Sequence, residues 1–150
     1  MDRIDLQILD LLQREGRLTV AELSERVSLS QSPCARRLKR LEEDGLISGY
    51  RAVLDRKRLN LGTTVFVHVR LMHHREDAVR EFEAAMEAMS EVVACHVVSG
   101  AHDYLLEVVV ADLPDYELIV RRLQALPMVQ ELTSSFAIRS VKSGAPLPLR

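Results

Sequence analysis

The chain has 150 residues and a formal charge of −2, with 47% hydrophobic and 28% charged residues, enough to build a packed core and far from a disordered composition. Aromatics make up only 4% and Trp is absent, which argues against a base-stacking or sugar-binding surface. No apolar run approaches the roughly 18 residues of a membrane span, and Met1 leads straight into charged, periodic sequence without a signal peptide, so a cytoplasmic chain with thiols at Cys34 and Cys95 is expected.

The mean charge hides an asymmetry. Residues 1–58 carry 12 Lys and Arg against 10 Asp and Glu, and the remainder carries 8 against 12. Four of the five residues from 36 to 40 are basic. Two modules are implied, the basic one a candidate for a polyanion.

Three short helices are predicted first. Asp2 caps a helix whose apolar face is Ile4, Ile8, Leu11 and Leu12, with Gly16 placed to end it. Thr19 and Glu22 form a capping box for a second helix that buries Val20, Leu23 and Val27. Ser30 caps a third, Pro33 is tolerated in its first turn, and Cys34, Leu38 and Leu41 face inward until Gly45. The short gap between the second and third helices makes a helix-turn-helix pattern. On a helical wheel Ser32, Arg36, Lys39 and Arg40 centre on the outward side, with Gln31 and Arg37 flanking. Donors and cations at a helix N-terminus suit base edges and phosphates of double-stranded DNA. A solvated basic face is the plainer alternative.

Residues 46–54 read as a short strand or wing, and 55–62 as a charged linker in which Arg56, Lys57 and Arg58 are either phosphate contacts or solubilising charge. Beyond it a strand–helix unit occurs twice. Strands are predicted at 65–72, 92–99, 104–110 and 129–141, and helices at 76–89 and after the cap Asp112. The order βαββαβ is a ferredoxin-like unit, in which helices cover one sheet face and leave the other, apolar, face open for sheet-to-sheet dimerisation. The fold class is thus α+β, a winged-type helix-turn-helix followed by a ferredoxin-like βαββαβ domain. The expected boundaries are 1–54, linker 55–62, 63–141 for effector binding and oligomerisation, and an extended or loose tail at 142–150.

Four segments carry a family resemblance: DRIDLQILDLLQREGR, AELSERVSLSQSPCARRLKRLEEDGLISGY, VVSGAHDYLLEV and Leu132-Thr133-Ser134-Ser135-Phe136-Ala137. Together they resemble the leucine-responsive regulatory protein/AsnC (feast/famine) transcription regulators over essentially the whole chain. The resemblance implies a DNA-binding regulator that responds to an amino acid or related metabolite by changing assembly, as a homodimer and further as an octamer, in the nucleoid. It places the effector cleft between neighbouring ligand domains at Gly100, Ala101, His102, Asp103 and Tyr104, with Val97, Leu113 and Phe136 shaping it. A Gly-started turn can offer N–H groups to a carboxylate, and an Asp can accept from an α-ammonium group. A tight hairpin turn explains Gly100 and Asp103 equally well.

Ala101 and His102 depart from the acidic–aromatic pair common in the family, and Gln31 stands where Pro is frequent. His102 reads either as a pH-sensitive contact or as an exposed turn residue. These departures keep open a ligand-independent architectural DNA-binding protein. No nucleophile motif, phosphate-cradling glycine loop or metal spacing occurs, so neither an enzyme, a cofactor nor a metal is expected.

Overall fold

The computed structural model describes residues 1–149. They form two compact units, one of residues 1–53 with 141–149, the other of residues 54–140.

In the first unit, α1 (Arg3–Arg14), α2 (Val20–Arg26) and α3 (Gln31–Glu43) pack around Ile8, Leu12, Leu23, Val27, Cys34 and Leu41. The predicted Asp2 cap and Thr19–Glu22 capping box both form, and Asp5 completes a second box with Asp2, so orphan N–H groups are satisfied at two helix starts. Ser30 occupies the N-cap of α3 but its side chain makes no capping bond. Helix α1 stops at Arg14, before Gly16: the Glu15 N–H still bonds to the Leu11 carbonyl, but Glu15 leaves the helical region at φ −132° and ψ 74°. Helix α2 ends in a Schellman turn. Leu29 N–H donates to the Ser24 carbonyl at 2.9 Å and Ser28 sits at φ 55°, a left-handed position held by a residue other than glycine. Gly45 fills the equivalent position after α3 at φ 73°.

Residues 46–54 contain no paired strand. A strand needs a neighbour, and the three helices offer no free edge.

In the second unit, β1 (Thr63–Leu71), α4 (Glu76–Ala88), β2 (Val92–Val97), β3 (Tyr104–Val110), α5 (Leu113–Gln124) and β4 (Val129–Phe136) give the expected βαββαβ order. The antiparallel sheet runs β2-β3-β1-β4. Val65, Val67, Val69 and Leu71 point to the helix-covered face. There they meet Leu106 and Val108, Phe82 and Met86 of α4, and Tyr116, Ile119 and Leu123 of α5. The central β1–β3 ladder is regular, whereas β1–β4 shifts register at Arg70/Leu71 and β2–β3 at Val92/Ala94.

Three details differ from the sequence expectation. The last strand ends at Phe136, not Val141. Its partner β1 begins at Thr63, and the Ala137 N–H to the Thr64 carbonyl is the final rung. The second strand ends at Val97, where Val98 N–H to the Asp103 carbonyl closes the hairpin. The uncovered sheet face is mixed rather than apolar. Phe66, His68 and Arg70 share it with Glu107 and, in register with β4, Ser135, Thr133 and Glu131.

The stretch 55–62 is an ordered turn. Asp55 Oδ1 accepts from the N–H of Lys57 and Arg58, Asn60 adopts φ 59°, and Arg56 pairs with Glu107 at 2.9 Å.

Candidate nucleic-acid interface and effector site

The amphipathic pattern of α3 positions its side chains. Cys34 and Leu41 are buried, which turns Gln31, Ser32, Arg36 and Lys39 outward. Arg36 has no ion-pair partner among the described residues, and Lys39 reaches only Glu43 at 3.5 Å across open solvent. Such an exposed i, i+4 pair holds its lysine weakly.

Arg37 and Arg40 behave differently. Arg37 Nη1 donates to Asp2 Oδ2 at 2.6 Å and to Asp5 Oδ1 at 2.9 Å, and Arg40 Nη2 donates to Asp5 Oδ2 at 2.8 Å. Asp5 is only 1% exposed and also accepts from the Asp2 N–H at 3.0 Å. The carboxylates hold their charge. The Asp5 N–H and then the Arg37 guanidinium bring the Asp2 carboxyl down to about 2. For Asp5, burial pushes upward but is outweighed by the Asp2 N–H and the two arginines, so its carboxyl also lies below the ordinary range. The six residues on the predicted face therefore divide. Gln31, Ser32, Arg36 and Lys39 point outward, Arg37 is turned onto α1, and Arg40 is shared between α1 and solvent. Matching i, i+3 pairs, Asp2/Asp5 and Arg37/Arg40, were the sequence signal for this clasp.

In the second unit, the predicted effector residues fall into two groups. One is the β2–β3 hairpin. Gly100 has φ 119°, a backbone state that side chains resist. The Ala101 carbonyl accepts from Arg70 Nε at 2.9 Å and Nη2 at 2.7 Å. The His102 ring lies 5.0 Å from that of His68. Asp103 is engaged on both oxygens, Oδ2 by the Leu71 N–H at 2.7 Å and Oδ1 by His74 Nε2 at 2.8 Å. Its own N–H donates to the Val69 carbonyl. Burial raises the Asp103 carboxyl, but the Leu71 N–H and His74 outweigh it and hold the group below the usual carboxylate range. Tyr104 is buried against Phe82, and its hydroxyl donates to Glu83 at 2.9 Å. Burial first, and Glu83 second, push that phenol upward. Val97 is 73% exposed at the end of β2.

The other group is Leu113 and Phe136, which border a shallow groove with Tyr116 and Val120. Phe136 pairs with Val65, whereas Asp103 bonds to Val69 and Leu71. Four to six residues along one strand are about 13–20 Å. One chain therefore does not bring the two groups into a single pocket. Arg70 and His74 are the residues that sequence reasoning missed. Nothing in their spacing marks them, because the β1–β3 register creates their contacts.

Two family descriptions match the chain: "Winged helix-turn-helix DNA-binding" over residues 1–48 and "Lrp/AsnC ligand binding domain" over residues 64–147. A proline dehydrogenase transcriptional activator from Rhizobium radiobacter is 41% identical over 95% of this chain and 92% of its own length. A leucine-responsive regulatory protein from Haemophilus influenzae is also 41% identical, over 95% of this chain and 86% of its own length. Among solved structures, a transcriptional regulator from Neisseria meningitidis in complex with L-Met superposes with a TM-score of 0.95 at 39% identity, covering 99% of this chain and 97% of that one. With a helix-turn-helix unit, a βαββαβ unit and these matches along nearly its full length, the chain belongs to the Lrp/AsnC family of transcription regulators.

Proposed function

We propose that this regulator reads duplex DNA with the outward face of α3 and that an amino acid or related small metabolite tunes the grip by changing how copies assemble. One observation carries the DNA half. The N-terminal and outer side of α3 presents Gln31, Ser32, Arg36 and Lys39 while Asp5 fixes the helix from behind. Gln31 and Ser32 suit base edges, Arg36 and Lys39 suit phosphates or guanine, and Arg40 adds its unpaired donors. Arg37 contributes by positioning.

The effector half rests on the two groups of residues in the ligand unit. The hairpin Gly100–Tyr104 offers backbone donors and an anchored carboxylate, and Leu113 with Phe136 offers an apolar wall. A cleft that unites them needs a second copy, which makes ligand occupancy and assembly one equilibrium. A homodimer, and an octamer built from it, is the assembly proposed, acting on DNA in the cytoplasm. The L-Met complex of the Neisseria relative supports an amino acid as the ligand class.

The test is binding to the DNA upstream of the protein's own coding sequence, at two salt concentrations. Arg36→Ala should weaken binding and lower the salt slope by about 1. Unchanged affinity and slope refute the reading.

A second reading is an architectural DNA-binding protein without an effector. Its support is Asp103, whose two oxygens already have internal partners. Calorimetry against all twenty amino acids separates the two, since one clear heat of binding removes it.

A further inference from the structure

After completing the second unit, the chain returns to the first at residues 141–149. There Leu147 meets Gln13 of α1 through two hydrogen bonds. The Leu147 N–H donates to Gln13 Oε1 at 2.7 Å, and Gln13 Nε2 donates to the Leu147 carbonyl at 3.1 Å. The side-chain amide presents a donor and an acceptor side by side, as a neighbouring strand does to extended backbone. The amide is itself oriented, since Gln13 Nε2 also donates to Asp10 Oδ1 at 3.1 Å and Arg14 binds the same carboxylate. Pro146 and Pro148 flank the contact, lack N–H groups and hold φ near −65°, and the Leu149 N–H donates to the Leu147 carbonyl at 2.9 Å, closing a tight turn over Pro148. Leu149 then forms one wall of a shallow groove that Leu6, Asp10, Leu11 and Arg26 also line. Leu149 is 37% exposed and Leu147 is 70% exposed, so the former supplies its side chain and the latter its backbone.

We infer that residues 146–149 are a latch held in cis, with Gln13 and the α1 groove as a binding site for a Pro-Leu-Pro-Leu segment turned at Pro148. Covalent topology gives the latch its consequence. The chain leaves the first unit after Val53 and comes back after Ser140. A closed latch therefore ties the DNA-binding unit to the ligand unit by two stretches of chain, and an open latch by one. A unit on one tether samples more orientations, which changes the effective concentration of one helix-turn-helix for a second half-site. Two exposed hydrogen bonds and one leucine are few contacts, and such segments open at low free-energy cost.

Millisecond hydrogen exchange on the full chain tests this without DNA or effector. The reporter is the Leu147 amide, referenced to a free peptide of residues 143–150. The unmodified chain should protect that amide roughly tenfold or more. Gln13→Ala and Leu149→Asp should each return it to the free-peptide rate, and Leu147→Ala should leave it protected because only backbone is used. Free-peptide exchange in the unmodified chain, or protection that survives Gln13→Ala, overturns the latch. Mixed assemblies of Gln13→Ala chains with chains lacking residues 144–150 decide between cis and trans. No protection is expected, and restored protection means that another copy's groove holds the tail, which overturns the cis assignment.

Discussion

The carboxylate of Asp5 on α1 lies 2.9 Å from the guanidinium of Arg37 on α3, with Asp5 almost wholly out of solvent. The first helix thus grips α3 through a buried charge, and the same carboxylate reaches Arg40. Replacing Asp5 takes from Arg40 its carboxylate partner and leaves Arg37 with Asp2 alone. Asp5→Ala should destabilise the helical unit by about 2–4 kcal/mol, at the lower side of buried-pair losses because both arginines keep partial solvent access. Urea unfolding followed at the helical signal measures it, and a loss below about 0.5 kcal/mol would contradict the role given to this residue.

The same clasp fixes an acid response. Asp2 titrates from 3.8 when unfolded to about 2 when folded, and Asp5 is lowered as well. A depressed folded pKa means that the unfolded chain binds protons first as pH falls. The stabilisation is therefore complete above about pH 4 and is lost between there and about pH 2. Asp2→Asn should flatten the fall in melting temperature across that window. An unaltered slope in the variant would show that the pair is not responsible.

Ser28 occupies a left-handed turn between α2 and α3 without glycine's freedom. Ser28→Gly should stabilise the unit by about 0.5–1 kcal/mol, and Ser28→Val should destabilise it by at least as much. Thermal melts of the two variants should move in opposite directions, and a shared direction would rule out backbone strain as the cause.

Asp103 sits in the hairpin proposed to meet the effector and ties it to β1. Asp103→Ala leaves the half-buried Leu71 N–H without its acceptor and should cost about 1–3 kcal/mol. Asp103→Asn keeps an amide oxygen for that N–H, so it should cost under about 1 kcal/mol while still losing the charge offered to an α-ammonium group. Stability that falls equally in both variants would remove the anchoring role. An undiminished effector response in the Asn variant would remove the carboxylate from the site.

Local chemistry is what the sequence made legible. Asp2, Thr19 and Glu22 announced their helix starts because capping involves residues three apart. The strands of the second unit followed from alternation, and their order followed from the βαββαβ pattern. What stayed hidden depends on partners distant in the chain. Arg37 looks like a phosphate ligand until α1 is packed beside it. The end of β4 is set by where β1 begins, and the segment 46–54 has strand-like residues but no neighbour to pair with. The separation of Leu113 and Phe136 from Asp103 emerges only from strand register, which resemblance to a family does not reveal.

The two register shifts lie in the outer ladders of the sheet, one beside each edge strand, while the middle pairing is regular. A bulge bends and twists the strand that carries it, and a twisted border is a poor template for adding a foreign strand. Each flank of this sheet is thereby discouraged from growing into fibrils during synthesis, when many identical nascent copies crowd together, while the central pairing keeps a regular register.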